Sequence, residues 1–451
     1  VNYRSICSLA LSSAVASAAL AFNPQQGDWG KTDPAHLRVM TWNVEDGICS
    51  TATKTEGVNS WTAIARVVAA IKPDVLILQE TGDNGANGDV PGGSLDSVST
   101  LEQVFERFVR GGTDPWRGGT VTAFVQAYDA SYDLPFVRVS TASDSFNRNA
   151  ILSRFPFADI NGDGVIGLDN FFNVADAYAP GGGGGIRGFG YAEIDLPDEI
   201  YAGDLVIGNS HLKAFSDPSD LAERLTAAQN IAYLIDYYFN GARTGMSDPN
   251  DAIFSPGAAD GVLGEHDIFV WGGDWNEDEA TNGRRGPALW MTQAAVEGGT
   301  SDGPDRDGTD AAYDNASDPF TGNTDTRGGS KLDYLAWFDS VGTSIHEVVL
   351  YANTIPLANM PTEMASFALP TFLTSLASDH QPVFIDLELP APTVAPCPAD
   401  LNGDGEVGPG DLAILVGQWG SDDIGDIDGS GDTGPGDLAV LIGSWGPCPT
   451  P

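Results

Sequence analysis

Asp274 and Asn276 stand two residues apart at the end of Phe269-Val270-Trp271-Gly272-Gly273, a run of apolar and glycine positions. That pattern predicts a buried strand delivering a carboxylate and a carboxamide on one side of the backbone where the sheet stops. Alone, a glycine turn closed by Asp and Asn is ordinary loop composition. The arrangement recurs, however. Asn43 lies near the end of Leu37 to Glu45, Glu80 closes the run from Asp74, and His211 closes the run from Asp204. Asp333 lies in the run Lys331 to Trp337, and Asp379-His380 precedes the strand Val383 to Leu389. In an α/β sheet such strand ends converge on one crevice. Glu80 and Asp379 offer hard oxygens suited to Mg²⁺ or Mn²⁺, ions that keep waters and bind phosphate oxygens. His380 could act as a base with Asp333 holding its ring.

Alternating strand-like and helix-like segments carry these residues. Trp61 to Ile71 has helical apolar spacing, with Asn59 or Ser60 as cap and Pro73 as stop, and Val98 to Val109 repeats the pattern. Further strands are expected around Val121 to Ala127 and at Asn147 to Pro156, and a helix from Pro218 to Phe239. Gly181 to Gly185 lacks a strand-then-helix context and reads as a flexible insertion rather than a phosphate cradle. There is no Cys cluster or H-E-x-x-H helix of the kind a zinc protease needs.

Composition narrows the chemistry. The 451 residues carry 21 Lys+Arg against 63 Asp+Glu, a net charge of −42, and no Lys or Arg follows Leu332. Such a surface repels polyanions and lipid headgroups, so a bound divalent cation would have to supply the positive charge. Ile6 to Leu20 is apolar and ends in Ala19-Leu20-Ala21, which reads as a signal peptide over residues 1–21 and so a secreted or cell-surface protein, not a transmembrane one.

The motifs Thr41-Trp42-Asn43-Val44, Leu78-Gln79-Glu80, Asn147 to Pro156, His211-Leu212-Lys213, Gly273-Asp274-Trp275-Asn276, Leu332-Asp333-Tyr334 and Ser378-Asp379-His380 resemble, in order, the endonuclease/exonuclease/phosphatase (DNase I-like) superfamily. The resemblance implies a four-layered α/β/β/α sandwich over residues 34–389 and divalent-metal phosphoester hydrolysis. It implies Glu80 as principal metal ligand beside Asn43 and Asp379. Asp274 and Asn276 would orient the water and the scissile phosphate, His211 would bind the phosphate or protonate the leaving group, and Asp333 with His380 would form the base. Asp144 is the candidate partner of His211. Trp275 stands where the family usually has Phe or another apolar residue.

A Pro/Ala/Thr linker, residues 390–396, leads to a duplicated acidic segment at residues 397–448. Asp400, Asn402, Asp404 and Asp411 recur as Asp426, Asp428, Ser430 and Asp437, the EF-hand spacing with Asp at position 12, each before a short apolar helix, Leu412 to Trp419 and Leu438 to Trp445. The unit resembles a type I dockerin in a form bracketed by Cys397 and Cys448, which implies a small all-α module, Ca²⁺ in both loops and a cohesin-like or cell-surface partner. Asp159-Ile160-Asn161-Gly162-Asp163-Gly164 begins similarly but has Asn170 at position 12 and reads as an Asx-rich turn. The leading expectation is a secreted metal-dependent phosphodiesterase, with nucleic acid favoured as substrate. A sphingomyelinase-like lipid phosphodiesterase, or a dockerin-bearing component of a polysaccharide-degrading assembly, is the alternative.

Overall fold

The structure, a computed structural model, describes residues 22–49, 54–82, 97–115, 118–143, 147–162, 164–168, 188–235, 263–292, 311–392, 397–421, 424–428 and 430–448. Strand β1 (Leu37–Asn43) turns Leu37 and Val39 to one core and Met40 and Trp42 to another, and β2 (Val75–Gln79) splits Val75 and Ile77 from Leu76 and Leu78 in the same way. A strand apolar on both faces needs cover on both. Helices α1 (Ser60–Ile71) and α2 (Val98–Arg110) supply one side, where Trp61, Val68, Phe105 and Phe108 share a core with Met40 and Trp42. Asn59 caps α1 by accepting from the Thr62 N–H, as its sequence predicts.

A second sheet covers the other face. The other strands of the two large sheets are β3 (Phe136–Val139), β4 (Ala150–Ser153), β5 (Gly167–Leu168), β6 (Phe189–Ile194), β7 (Leu205–His211), β8 (Ile268–Asp274), β9 (Ala312–Tyr313), β10 (Asp333–Trp337), β11 (Thr343–Val349) and β12 (Val383–Glu388). They form two six-stranded sheets, ordered β11-β12-β1-β2-β4-β3 and β9-β10-β8-β7-β6-β5. Helices α3 (Pro218–Leu234) and α4 (Pro287–Thr292) pack Ala228, Ile231, Ala288 and Met291 into the second sheet's core. The result is the expected mixed α/β sandwich of two large sheets between helices.

Two expectations need correcting. Around residues 121–127 the strand is limited to Thr120–Val121 and is followed by a helical turn, Val125–Tyr128. The second acidic-segment expectation, an all-α tail, gives way to helices α5 (Pro409–Gly417) and α6 (Pro435–Gly443) plus a two-residue ladder of Glu406–Val407 with Gly446–Pro447. Both helices begin earlier than their apolar residues suggest, because a proline fits the first turn and Asp411 or Asp437 accepts the N–H of the Gly408 or Gly434 cap. Cys397 and Cys448 are disulfide-bonded, and Cys49 is buried. Residues 1–21, the five-glycine run, linker residues 393–396 and the end of the predicted Pro218 to Phe239 helix lie outside the described residues. Among the described residues no helix is long and apolar enough to cross a membrane.

Candidate active site

Register builds the centre. Strand β8 pairs parallel with β7 and antiparallel with β10, so that Asp274 lies opposite His211 on one side and Asp333 on the other. Three polar side chains thus occupy one rung across adjacent strands, spaced by the width of a sheet. The strand is pinned there by Gly273, whose φ of +141° and close approach to the Ser210 carbonyl leave no room for a side chain. Trp275, also buried, donates from Nε1 to Ser210 Oγ at 3.0 Å and stacks on Tyr334 with ring centroids 5.1 Å apart.

The first sheet supplies the facing residues. Asn43 ends β1, and its Nδ2 donates to Asp274 Oδ2 at 2.9 Å, joining the two sheets at the rung. His380 arrives on the turn before β12, fixed by Trp42 Nε1 donating to its carbonyl at 3.0 Å and by its own N–H donating to Ser378 Oγ at 3.0 Å. Its Nδ1 lies 2.7 Å from Asp333 Oδ2, while Nε2 is 3.6 Å from Asp274 Oδ2. His211 Nε2 is 3.4 Å from Asp274 Oδ2 and 3.7 Å from Glu80 Oε1. Asp144 lies outside the described residues.

Burial sets the electrostatics. Asp274 is 1% exposed; burial pushes its carboxyl up to about 7, with Asp333 adding to the rise and the His380 imidazolium and the Asn43 amide opposing it. Burial works against the His380 imidazolium too, but Asp333 and Asp274 outweigh it and raise the histidine to about 9. Asp333 Oδ1 is buried without a hydrogen-bond partner among the described residues.

Around this centre the backbone is strained. Glu45, Asp46, Glu80 and Asn276 have φ of +44°, +61°, +51° and +55°, in the left-handed region that non-glycine residues rarely adopt. These turns aim Glu45 and Glu80 at the crevice mouth. Burial and the neighbouring Asp379 and Glu80 carboxylates raise Glu45. Asp379 is 37% exposed on its side chain; its N–H donates to Glu45 Oε2 at 2.9 Å and its Oδ2 is held by Arg327 at 2.7 Å from Nε and 2.5 Å from Nη2. Asn276 donates its N–H to Asp274 Oδ1 at 3.0 Å and its Nδ2 to the Leu212 carbonyl at 3.0 Å.

The structure therefore gathers Asn43, Glu80, His211, Asp274, Asp333 and His380 closely, sets Asp379 at the rim on an arginine, and turns the Asn276 amide onto backbone. Glu45 and Arg327 join them without having been singled out from the sequence. Ligand atoms of Glu80, His211 and Asp274 lie within 4.8 Å of one another, as do those of Asp274, Asp333 and His380, groupings that could hold a metal ion.

In the tail, Asp400 accepts from the N–H groups of Gly403 and Gly405 at 2.8 and 2.9 Å, and Asp426 from those of Ser430 and Gly431, both at 2.9 Å. Asp411 and Asp437 are buried and accept from the Asn402 and Asp428 N–H groups at 3.0 and 2.9 Å. Carboxylate oxygens of Asp400, Asp404 and Asp411 lie within 4.8 Å of one another, as do those of Asp426, Asp428 and Asp437. Asn402 Nδ2 donates to Asp404 Oδ2 at 2.9 Å, and the Ser430 hydroxyl turns to the Asp432 carbonyl at 3.3 Å.

The Endonuclease/Exonuclease/phosphatase family matches residues 40–380. No curated protein sequence matches the chain. Among solved structures, an endonuclease/exonuclease/phosphatase from Beutenbergia cavernae DSM 12333 is similar at 18% identity, covering 80% of this chain and 73% of that one, with a TM-score of 0.41. D. rerio TDP2 complexed with single strand DNA product follows at 12% identity, 79% and 100% coverage and a TM-score of 0.39. SmcL is similar at 13% identity, 79% and 100% coverage and a TM-score of 0.39.

Proposed function

Because the chain belongs to the endonuclease/exonuclease/phosphatase family of metal-dependent phosphoesterases, we propose that its crevice hydrolyses phosphodiesters, with nucleic acid as the favoured substrate. The observation that carries this reading is the rung His211-Asp274-Asp333 with His380 seated on Asp333 at 2.7 Å and Asn43 on Asp274 at 2.9 Å. Glu80, Asn43 and Asp379 would hold Mg²⁺ or Mn²⁺, and a bound ion there supplies Lewis-acid polarisation of a phosphoryl oxygen and a more acidic water. Asp333 orients the His380 ring and leaves Nε2 to face the attacking water beside Asp274. Asp274 and Asn276 orient that water and the phosphate, and His211, on the opposite side of Asp274, binds the phosphate or protonates the leaving oxygen. A sphingomyelinase-like reading has one observation in its favour, the exposed Phe215 four residues beyond His211.

Residues 1–21 act in this reading as a secretion signal, residues 34–389 as the catalytic domain and residues 390–396 as the linker. Residues 397–448 are then a calcium-binding dockerin-like module, with Asp400, Asn402, Asp404 and Asp411 around one ion and Asp426, Asp428, Ser430 and Asp437 around the other. The Cys397–Cys448 bond suits an oxidising compartment. Val416, Trp419, Ile442 and Trp445 are exposed on or just after α5 and α6, at matching positions of the two repeats, and offer a surface to a cohesin-like or cell-surface partner. Hydrolysis of single- and double-stranded DNA, RNA, sphingomyelin and a generic phosphodiester, each with Mg²⁺ and with chelator, tests the catalytic reading. Chelator-insensitive turnover, or none on any diester, would sink it.

A further inference from the structure

Phe215 combines two features that are costly together: a backbone φ of +73° and a ring that is 77% exposed. A bulky residue is strained in that region where glycine would not be, and an exposed ring contributes little packing in return. The loop is nonetheless built to hold it. Arg224, buried on α3, donates from Nη1 to the carbonyls of Lys213 and Phe215 at 2.5 and 2.8 Å, and its Nε is held by the buried Glu277 at 2.9 Å. Asn276 holds the Leu212 carbonyl. Asn276 and Glu277 lie two and three residues beyond Asp274, so the turn that leaves the candidate centre also fixes the loop that projects Phe215. Lys213 Nζ sits 5.0 Å from the ring centroid and 3.3 Å from Asp220, which places a cation over the ring.

We propose that Phe215 is a stacking platform for an unpaired base beside the scissile phosphate, which makes single-stranded nucleic acid, rather than a lipid headgroup, the substrate of this crevice. The inference rests on the phosphodiesterase reading above. At a net charge of −42 the protein cannot draw affinity from a diffuse basic surface. Stacking on an aromatic face needs no positive surface and accepts any base. A bilayer asks for contiguous apolar area, whereas Phe215 is followed in the chain by the exposed Ser216 and Asp217 and preceded by Lys213 and Ala214.

The test compares full-length wild type with F215A, F215W and F215G on a short oligo-dT strand and on an abasic strand of equal length, with Mg²⁺. F215A should raise KM for oligo-dT roughly ten-fold with little change in kcat, F215W should restore it, and the abasic strand should be indifferent to all three. F215G should match F215A in KM yet melt above wild type, because it keeps the backbone and relieves the strain. An unchanged KM for oligo-dT in F215A, or an equal rise on the abasic strand, overturns the proposal. So does loss of binding to phosphatidylcholine–sphingomyelin vesicles in F215A with oligo-dT unaffected. If wild type cleaves no diester, the phosphodiesterase reading fails separately. Oligo-dT binding with Ca²⁺ in place of Mg²⁺, followed by anisotropy, then decides Phe215: weaker binding in F215A supports the platform, and equal binding overturns it.

Discussion

The crevice and the tail both concentrate carboxylates, and they answer that charge in opposite ways. In the crevice, Asp274 and Asp333 are buried at the edge of a large core and meet His380, His211 and Asn43. In the tail, where no Lys or Arg occurs, the acidic loops meet backbone N–H groups around a core whose buried apolar members are Ala399, Val407, Leu415 and Leu441. A segment so small rarely holds itself together by its core alone and needs a staple or an ion. The fold therefore imposes the crevice, whereas charge neutralisation should impose the tail. That difference can be broken or sharpened by removing charges from each.

The largest effect belongs to Glu80. Glu80→Gln should abolish divalent-metal-dependent turnover, a loss of about three orders of magnitude or more, with unchanged circular dichroism, because it removes a charge at a half-exposed position without removing core volume. Retained Mg²⁺ stimulation would mean that Glu80 is not a ligand. Asp274→Ala and His380→Ala should each cost orders of magnitude, but the double variant far less than the product, as expected for groups acting on one water. Fully multiplicative kcat losses would separate the two residues into different steps.

Those residues were the legible part. A strand written in apolar residues ends where a polar one appears, so Asn43, His211 and Asp274 could be found at strand ends from the sequence, with Glu80 just beyond one. What places His211, Asp274 and Asp333 on one rung is register, a property of pairs of strands far apart in the chain, which local composition does not carry. The left-handed turns at Glu45, Glu80, Asn276 and Phe215 were also hidden, since tertiary contacts hold these residues in conformations their side chains disfavour. Arg327 carries no sequence signal of its own, and only the fold sets it against Asp379. In the tail almost the whole loop pattern was legible, because its contacts are local and repeated.

The next largest effect tests how firmly the sandwich imposes its charges. Arg38 and Asp386 form a buried pair across β1 and β12, with Nε and Nη2 donating at 2.6 and 2.7 Å, and Arg38 and His346 overcome burial to hold the Asp386 carboxyl below its usual range. Asp386→Asn should destabilise the sandwich by about 3–5 kcal/mol, since it leaves a buried guanidinium without its counter-charge. Denaturant unfolding measures this, and a change under about 1 kcal/mol would show that water reaches the pair.

A pH series on metal-free protein gives a smaller effect with a definite sign. Asp274 is raised from 3.8 to about 7, so the folded state binds its proton more tightly than the unfolded chain, and stability falls as pH rises between those values. His380 is raised from 6.5 to about 9, so its stabilisation is complete below 6.5 and is lost as pH rises through 9. Together they make the slope negative from about 4 to about 9, through Asp274 below about 7 and His380 above about 6.5, and Asp274→Asn should flatten the lower part. Thermal melting across that range checks it; a lower slope untouched by the variant would assign it to other groups.

The smallest effect is the most direct test of the contrast. Asp411 and Asp437 are each buried yet bonded to backbone, Asp411 to Gly408 and Asn402 and Asp437 to Gly434, Ile427 and Asp428. Each closes one loop and caps one helix. If ions complete the loops, the metal-free tail should be poorly helical and Ca²⁺ should order it, because two acidic loops without a basic residue repel themselves until a cation enters. Asp411→Ala and Asp437→Ala should then each weaken one Ca²⁺ site and leave the other, with phosphodiester hydrolysis untouched, since the bonds of both residues run to tail backbone. Calcium titration of the full chain, followed by calorimetry for site count and by far-ultraviolet circular dichroism for helix, reads both. A flat titration with the Cys397–Cys448 bond intact would make these loops self-sufficient turns, held by their own N–H groups, and the tail would resemble the crevice after all in needing no cation to take shape.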